Sequence, residues 1–255
     1  SDEYAMFAEE FNKLTDRLQE SEEMQRQFVS DASHELKTPL ASIKLLSDSI
    51  LQNEMDADTM REFVADIGSE AERLNRMSQK LLMLSRREDS AGPEHEVVDV
   101  GDVVSRVFRM LVPLADDRQI DLTGSWKRGC TVLSMEDDVY QIIFNLVENG
   151  IKYNQPQGSV HVSLEKTADD VTISVEDTGF GIPEEALGHI FERFYRVDKA
   201  RSRQAGGSGL GLSIVRELVQ RNYGSIGVRS EVGKGTRFMV VFPYFEVEGE
   251  NENAE

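Results

Sequence analysis

The chain of 255 residues contains a single cysteine, Cys130. This scarcity excludes an internal disulfide framework and any zinc site built from several cysteines. Long apolar runs are also missing, since none approaches the roughly 18 residues that a membrane-spanning helix needs, and no signal peptide opens the chain. The sequence begins at Ser1 without a methionine, so a membrane segment upstream stays open.

Basic residues are few compared with acidic ones. Lys and Arg number 28 against 47 Asp and Glu, which gives a formal net charge of −19. A field of this sign repels phosphate backbones and anionic lipid headgroups, which disfavours binding to DNA, RNA or a membrane surface. We therefore expect no nucleic-acid partner, whereas a basic protein surface or simple solubility fits the charge.

Glycine is almost absent from the first third of the chain. Residues 1–91 contain only Gly68, whereas the other 18 glycines lie in residues 92–255. Because glycine disfavours helices and permits turns, this distribution predicts long helices followed by a part built of strands, turns and loops. Ala91-Gly92-Pro93 is the predicted boundary between the two.

Two heptad patterns predict a helical hairpin in the first part. The apolar positions are Val29, Ala32, Leu36, Pro39, Ile43, Leu46 and Ile50, and then Met60, Val64, Ile67, Ala71, Leu74 and Leu81. Residues 53–56 are the predicted connection, with Asp56 or Asp58 as the N-cap of the second helix. Because two helices bury little by themselves, the hairpin is expected to dimerise into a four-helix bundle.

The second part alternates predicted strands and helices. Strands are predicted at 97–100, 131–133, 160–165, 171–177, 225–230 and 236–242, and helices at 103–114, 137–153 and 210–223. This order favours an α+β sandwich in which helices cover one face of a mixed sheet. The acidic tail, residues 246–255, is predicted to be disordered.

His34 is the first candidate for chemistry. With Val29 at heptad position a, His34 falls at f, away from the apolar seam. Glu35 is its neighbour, and Thr38 lies one turn further along the helix. An exposed imidazole oriented by a carboxylate is a competent nucleophile. A solvated surface histidine is the alternative, and it stays open at this point.

A second candidate lies on the helix predicted at 137–153. Asn145 and Asn149 are one turn apart, and Lys152 follows on the same side. Amide oxygens suit Mg²⁺, and Mg²⁺ together with a lysine suits a polyphosphate. Taken alone, the pattern is equally typical of a solvated helix face.

Two glycine-rich loops accompany this helix. Residues 177–183 (DTGFGIP) follow a predicted strand, and residues 206–212 (GGSGLGL) open a predicted helix. Glycines at a helix start let backbone N–H groups approach an anion. Neither loop has the spacing of a Walker A loop or of a dinucleotide fingerprint.

Together these segments resemble bacterial two-component sensor histidine kinases, in the same order and spacing along residues 21–243. The similar segments are the H box (28–40), the N box (145–154), the G1 box (177–183), the F box (191–196), the G2 box (206–212) and a final glycine element (233–236). The resemblance implies an antiparallel helical hairpin that forms a dimeric four-helix bundle, followed by an α/β-sandwich ATP-binding domain of the Bergerat type.

The resemblance also implies domain boundaries. Residues 1–20 are similar to the end of a HAMP linker helix, residues 21–90 to a dimerisation and histidine-phosphotransfer domain, and residues 91–245 to the catalytic ATP-binding domain. A HAMP linker implies that the chain is the cytoplasmic part of a bacterial inner-membrane or plasma-membrane protein, joined to the membrane only through a segment outside this sequence.

Carried over by position, the resemblance makes His34 the phospho-acceptor, Glu35 the acidic residue that orients it, and Thr38 a residue that assists dephosphorylation of the partner. It makes Asn149 the Mg²⁺ ligand and Asp177 the acceptor for the adenine amino group. The remaining implied ATP-binding residues are Asn145, Lys152, Tyr153, Gly179, Gly181, Arg196, Gly207, Gly209, Leu210 and Gly211.

The implied function is Mg·ATP-dependent autophosphorylation of His34, with the ATP domain swinging on a hinge at Ser90–Pro93. Phosphotransfer to an aspartate of a response regulator receiver domain follows, with phosphatase activity toward the phosphorylated regulator. One alternative is a degenerate kinase that serves as a dimeric scaffold. Another is a free-standing ATPase, which Asn145 disfavours because an amide cannot act as a general base where related ATPases carry a glutamate.

Overall fold

The computed structural model describes residues 2–85, 95–198 and 209–246. The chain divides into two units, Ser1–Ser85 and Arg86–Glu255. The helices are α1 (Asp2–Gln52), α2 (Ala57–Ser85), α3 (Val100–Asp117), α4 (Glu136–Lys152) and α5 (Gly211–Arg221). The strands are β1 (Glu96–Asp99), β2 (Asp121–Ser125), β3 (Thr131–Ser134), β4 (Ser159–Lys166), β5 (Asp170–Asp177), β6 (Ser225–Glu231) and β7 (Gly235–Pro243).

The first unit is the predicted hairpin of two helices. Asp56 caps α2, because its Oδ1 accepts hydrogen bonds from the backbone N–H groups of Asp58 (3.0 Å) and Thr59 (2.9 Å). Of the two predicted caps, Asp56 is therefore the one the structure uses. Helix α1 runs without a break from Asp2 to Gln52, so the predicted boundary between residues 20 and 21 does not interrupt the helix.

The hairpin covers only part of the predicted heptad seam. On α2 the most buried side chains are Met77 and Leu84, at 4% and 7% exposure. The seam residues Val29, Met60 and Val64 remain 58%, 41% and 56% exposed. Part of this apolar stripe, one residue on α1 and two on α2, is therefore left exposed within one chain.

The second unit contains a five-stranded mixed sheet in the order β2-β4-β5-β7-β6 and a separate two-stranded sheet of β1 and β3. Strand β2 is parallel to β4, and the other pairs are antiparallel. Strand β2 was not predicted, because Asp121–Ser125 has a single apolar side chain, Leu122, and contains Gly124. It forms through backbone pairing with β4 rather than through its own pattern.

The core of this unit lies between the five-stranded sheet and the helices α3, α4 and α5. Alternate side chains are buried along β7 and along most of β4, where Val160, Val162 and Leu164 face the core. The largest fully buried side chains include Ile142, Ile143, Leu146, Ile151, Ile173, Ile214 and Phe242. Burial of each such side chain contributes roughly 1.5–3 kcal/mol. The predicted α+β sandwich with a mixed sheet is confirmed.

A buried polar cluster joins the start of α4 to the end of α5. Asn222, 2% exposed, accepts from Ser134 Oγ (2.7 Å) and donates from Nδ2 to Asp138 Oδ2 (2.7 Å). Arg221 donates to the same carboxylate, with Nε at 3.0 Å from Oδ2. Since each buried polar group finds a partner, the cluster holds the two helices in one register.

Among the described residues, no helix carries an apolar stretch long enough to cross a lipid bilayer.

Candidate functional site

His34 lies on the exposed face of α1, as its heptad position predicts. Glu35 beside it is half-buried, and Thr38 one turn later is exposed. The Thr38 hydroxyl points back along the helix, with Oγ1 3.5 Å from the His34 carbonyl oxygen. The imidazole is therefore presented to solvent, with a carboxylate and a hydroxyl within one helical turn.

Helix α4 carries the asparagine and lysine stripe of the second unit. Asn145 is 2% exposed, and its Nδ2 makes no hydrogen bond within the described part of the chain. Asn149 is half-buried one turn later. Lys152 pairs with Glu148, with Nζ 2.8 Å from Oε1. Because a buried N–H donor without a partner is unfavourable, a ligand atom that accepts a hydrogen bond from this amide would bind favourably.

The start of α5 closes over these asparagines. A Cβ placed on Gly211 would lie 3.7 Å from Asn145 Oδ1 and 3.9 Å from Asn149 Nδ2. The first turn of a helix leaves backbone N–H groups unpaired, and they favour anions. The tertiary structure thus brings the end of the G2 segment against the N-box helix, which lies some 60 residues earlier in the chain.

The residues just before α5 are tied to the F-box segment. Gly209 has φ +72, and a Cβ there would come within 2.8 Å of the backbone of Phe194. The Phe194 N–H donates to the Gly209 carbonyl at 2.9 Å. Leu210 is fully buried, and Arg196 is half-buried. Gly207 lies outside the described residues, as does the predicted hinge Ser90–Pro93.

Asp177 is the last residue of the central strand β5, and its side chain meets two backbone donors. Its Oδ1 accepts from the N–H groups of Gly179 (2.8 Å) and Thr236 (3.2 Å). Burial raises the pKa of the Asp177 carboxyl from 3.8 to about 6, although these two donors favour the ionised form. The group is therefore a half-buried hydrogen-bonding carboxyl with spare acceptor capacity on its second oxygen.

The loop after Asp177 requires glycine at two positions. A Cβ on Gly179 would overlap the carbonyl oxygen of Tyr153, and one on Gly181, where φ is +71, would overlap that of Glu231. The Phe180 N–H donates to the same Tyr153 carbonyl at 3.1 Å. Close approach of the loop to the end of α4 thus places Tyr153 beside the Asp177 loop.

Thr236 and Gly235 were not assigned a role from the sequence, yet they border Asp177. Thr236 is 5% exposed and lies opposite Asp177 in the β5–β7 register. Gly235 has φ +120, and a Cβ there would overlap the Asp177 carbonyl oxygen. The sequence marked residues 233–236 only as a final glycine element, and their position opposite Asp177 could be identified only from the strand register.

The donor set fits a metal that arrives with the nucleotide. The described residues contain no cluster of three or more His, Cys, Asp or Glu side chains that could hold an ion by themselves. Mg²⁺ commonly takes one or two protein oxygens and completes its shell with phosphates and water. Asn149 beside the orphaned Asn145 amide meets that requirement.

A cavity of about 510 Å³ lies elsewhere, between β1, α3 and Glu136, and none of the predicted site residues lines it.

Two family models match the two units in order. Residues 24–90 match the His Kinase A (phospho-acceptor) domain, and residues 134–246 match the histidine kinase-, DNA gyrase B-, and HSP90-like ATPase. The chain belongs to the sensor histidine kinase family. Its two matched domains are those of a protein-histidine kinase.

Individual relatives support this family assignment. The chain is 38% identical over 225 residues to the sensor-like histidine kinase SenX3 of Mycolicibacterium smegmatis, covering 88% of this chain and 59% of that protein. The chain thus spans little more than half the length of this kinase. A full-length histidine kinase, ShkA, solved with AMPPNP, is 26% identical at a TM-score of 0.63, covering 87% of this chain and 46% of that one.

The histidine kinase ThkA, solved in complex with the response regulator protein TrrA, shares the fold. Its TM-score is 0.71 at 21% identity, with 86% of this chain and 61% of that chain covered.

Proposed function

We propose that this histidine kinase uses Mg·ATP to phosphorylate His34 and then passes the phosphoryl group to an aspartate of a response regulator. The observation that carries the proposal is the exposed imidazole of His34 on one family-matched unit, together with the unpartnered Asn145 amide beside Gly211 on the other. One unit offers a nucleophile, and the other offers an anion-binding cleft.

In the proposed first step, a ring nitrogen of His34 attacks the γ-phosphorus of ATP. The bond from the γ-phosphorus to the bridging oxygen breaks, ADP leaves, and the imidazole loses its N–H proton, which Glu35 helps to remove in this proposal. The new phosphoramidate bond then breaks when a regulator aspartate attacks the same phosphorus. Such transfers depend mainly on positioning and charge neutralisation.

The ATP-binding unit supplies that positioning in this proposal. Asp177 accepts from the adenine amino group, and Tyr153 packs near the nucleoside. Lys152, Arg196 and the backbone N–H groups from Gly209 to Gly211 face the phosphates. Asn149 would hold Mg²⁺, which supplies neutralisation of the phosphate charge when it is bound.

We also propose a homodimer, because the apolar stripe that includes Val29, Met60 and Val64 is uncovered in one chain. A second copy of the hairpin would cover the stripe and complete a four-helix bundle. Phosphatase activity toward the regulator is proposed through Thr38, whose exposed hydroxyl lies one turn from His34. The proposed location is the cytoplasmic side of a bacterial membrane, by way of a segment outside this sequence.

The test is labelling with ATP carrying a radioactive γ-phosphate. His34→Gln should remove all acid-labile label from the protein while leaving the affinity for ATP unchanged. His161→Gln is the matched control, because both ring nitrogens of His161 already meet hydroxyls, Thr123 Oγ1 at 2.9 Å and Ser125 Oγ at 3.1 Å. Label on the His34 variant at the wild-type level would overturn the proposal, and absence of ATP binding would favour the scaffold alternative.

A further inference from the structure

Glu148 is a charged residue of α4 that the proposed mechanism does not use. Its Oε1 lies 2.8 Å from Lys152 Nζ, and the two side chains are only 19% and 20% exposed. The glutamate precedes the lysine by one turn, which is the favourable order for an ion pair on a helix. Because both groups are largely withdrawn from water, their attraction is screened less than that of a surface pair.

The position of this pair relates it to the nucleotide cleft. Glu148 directly precedes Asn149 and follows Asn145 by three residues, so it borders the same face of the helix. That face carries the unpartnered Asn145 amide and is approached by Gly211 at the start of α5. The carboxylate therefore stands at the edge of the region that we assign to the phosphates.

A carboxylate at this place has two electrostatic effects on an incoming triphosphate. It repels the phosphate charge directly, and it neutralises Lys152, which would otherwise attract that charge. Both effects oppose a bare triphosphate with its four negative charges. A divalent cation on the phosphates cancels half of that charge and is itself attracted to the carboxylate.

We infer that Glu148 makes the cleft select metal-bound nucleotide over metal-free nucleotide. This inference rests on the proposed function, because it concerns the same ATP site. It assigns Glu148 a role in specificity, because the residue disfavours binding of ATP whose phosphates carry no metal ion.

The experiment is a calorimetric titration of the whole chain with ATP, once in excess Mg²⁺ and once in EDTA. Wild type should bind more tightly with Mg²⁺. Glu148→Gln, which keeps the shape and removes the charge, should raise the metal-free affinity about tenfold and leave the Mg·ATP affinity within about threefold. The ratio of the two affinities is the quantity that the inference predicts to fall.

Two further variants serve as controls. Glu136→Gln removes the same charge from the same helix, about 18 Å away along the axis, where Glu136 pairs with Arg106. That distance exceeds the screening length of about 10 Å at 0.1 M salt, so the ratio should stay at the wild-type value. Glu148→Asp keeps a carboxylate and should retain most of the selectivity, which also covers the case that the glutamine variant fails to fold.

The inference is overturned if Glu148→Gln leaves the ratio unchanged, if it weakens binding equally in both conditions, or if wild type does not distinguish the two forms of ATP. The second result would mean that Glu148 only orients Lys152. Failure of the proposed function is a separate result, visible in wild type alone as no ATP binding in either condition or no label on His34.

Discussion

The helical hairpin and the α/β unit bury their apolar side chains in different ways. Among the hairpin residues whose side chains the structure describes, those that are buried are Pro39, Met77 and Leu84, whereas the α/β unit has an extended core with many fully buried side chains. Two helices in contact always leave part of each apolar stripe uncovered, while a sheet faced by three helices can close around its core. The α/β unit thus buries an extended core within one chain, whereas the hairpin leaves apolar positions exposed, which supports the dimer proposed above.

The largest expected effect comes from placing a charge in the uncovered stripe. Val64 is 56% exposed in one chain, and Val64→Glu should convert the proposed dimer to monomers, because an unpaired buried carboxylate costs about 3 kcal/mol or more per copy. Light scattering behind size-exclusion chromatography measures the change. Met110→Glu on α3, at a site 64% exposed, is the matched control and should leave the mass unchanged. If the Val64→Glu protein stayed dimeric, this exposed apolar position of the hairpin would not be one that a second copy covers.

A smaller effect is expected from pH, through Asp177 of the α/β unit. The pKa of Asp177 is raised from 3.8 to about 6. Between these two pH values the carboxyl therefore keeps its proton in the folded state and has lost it in the unfolded state. Its stabilising contribution is present below pH 3.8 and is lost as the pH rises through about 6, up to roughly 3 kcal/mol. Thermal unfolding of wild type and Asp177→Asn between pH 4 and 8, without nucleotide, isolates this term. If the unfolding temperatures of the two proteins changed with pH in the same way, the raised pKa of Asp177 would not be the cause of the pH dependence.

The smallest effect concerns local backbone strain at Tyr223. This residue has φ +59 and is 80% exposed, so its side chain gains little from burial. Tyr223→Gly should stabilise the α/β unit by up to about 1 kcal/mol, because a left-handed conformation is unfavourable for residues with a Cβ. Tyr223→Ala retains the strain and should give no gain. Thermal unfolding measures both variants. If both lose stability equally, the contact of the Tyr223 ring with His95 contributes more to stability than the backbone strain costs.

Much of the fold was predictable because the patterns are local. The hairpin, its cap at Asp56 and most elements of the α/β unit follow from periodicity, turn residues and capping chemistry. The exception, β2, has a single apolar side chain, Leu122, and is held by a parallel neighbour, so no local signal marks it. Strands of this kind are defined by their partner rather than by their own residues.

The candidate site was predictable to a different degree. The sequence indicated Asn145, Asn149, Asp177 and the two glycine loops as parts of one site. It did not indicate that Thr236 donates to Asp177 or that Glu148 holds Lys152. The first contact depends on strand register and the second on the side-chain rotamers. The spacing of residues in the sequence limits both but does not determine either.

The sequence by itself determined most of the helices and strands, though not β2, and it determined which face of α1 carries His34 and which family the chain belongs to. These properties depend on periodicity and on residue chemistry within a few turns of chain. Only the tertiary structure decided that Gly211 lies against Asn145, that burial raises the pKa of Asp177, and that Asn222 ties α5 to α4. Proximity and desolvation arise from contacts between distant parts of the chain, and they exist only once the core has closed around them.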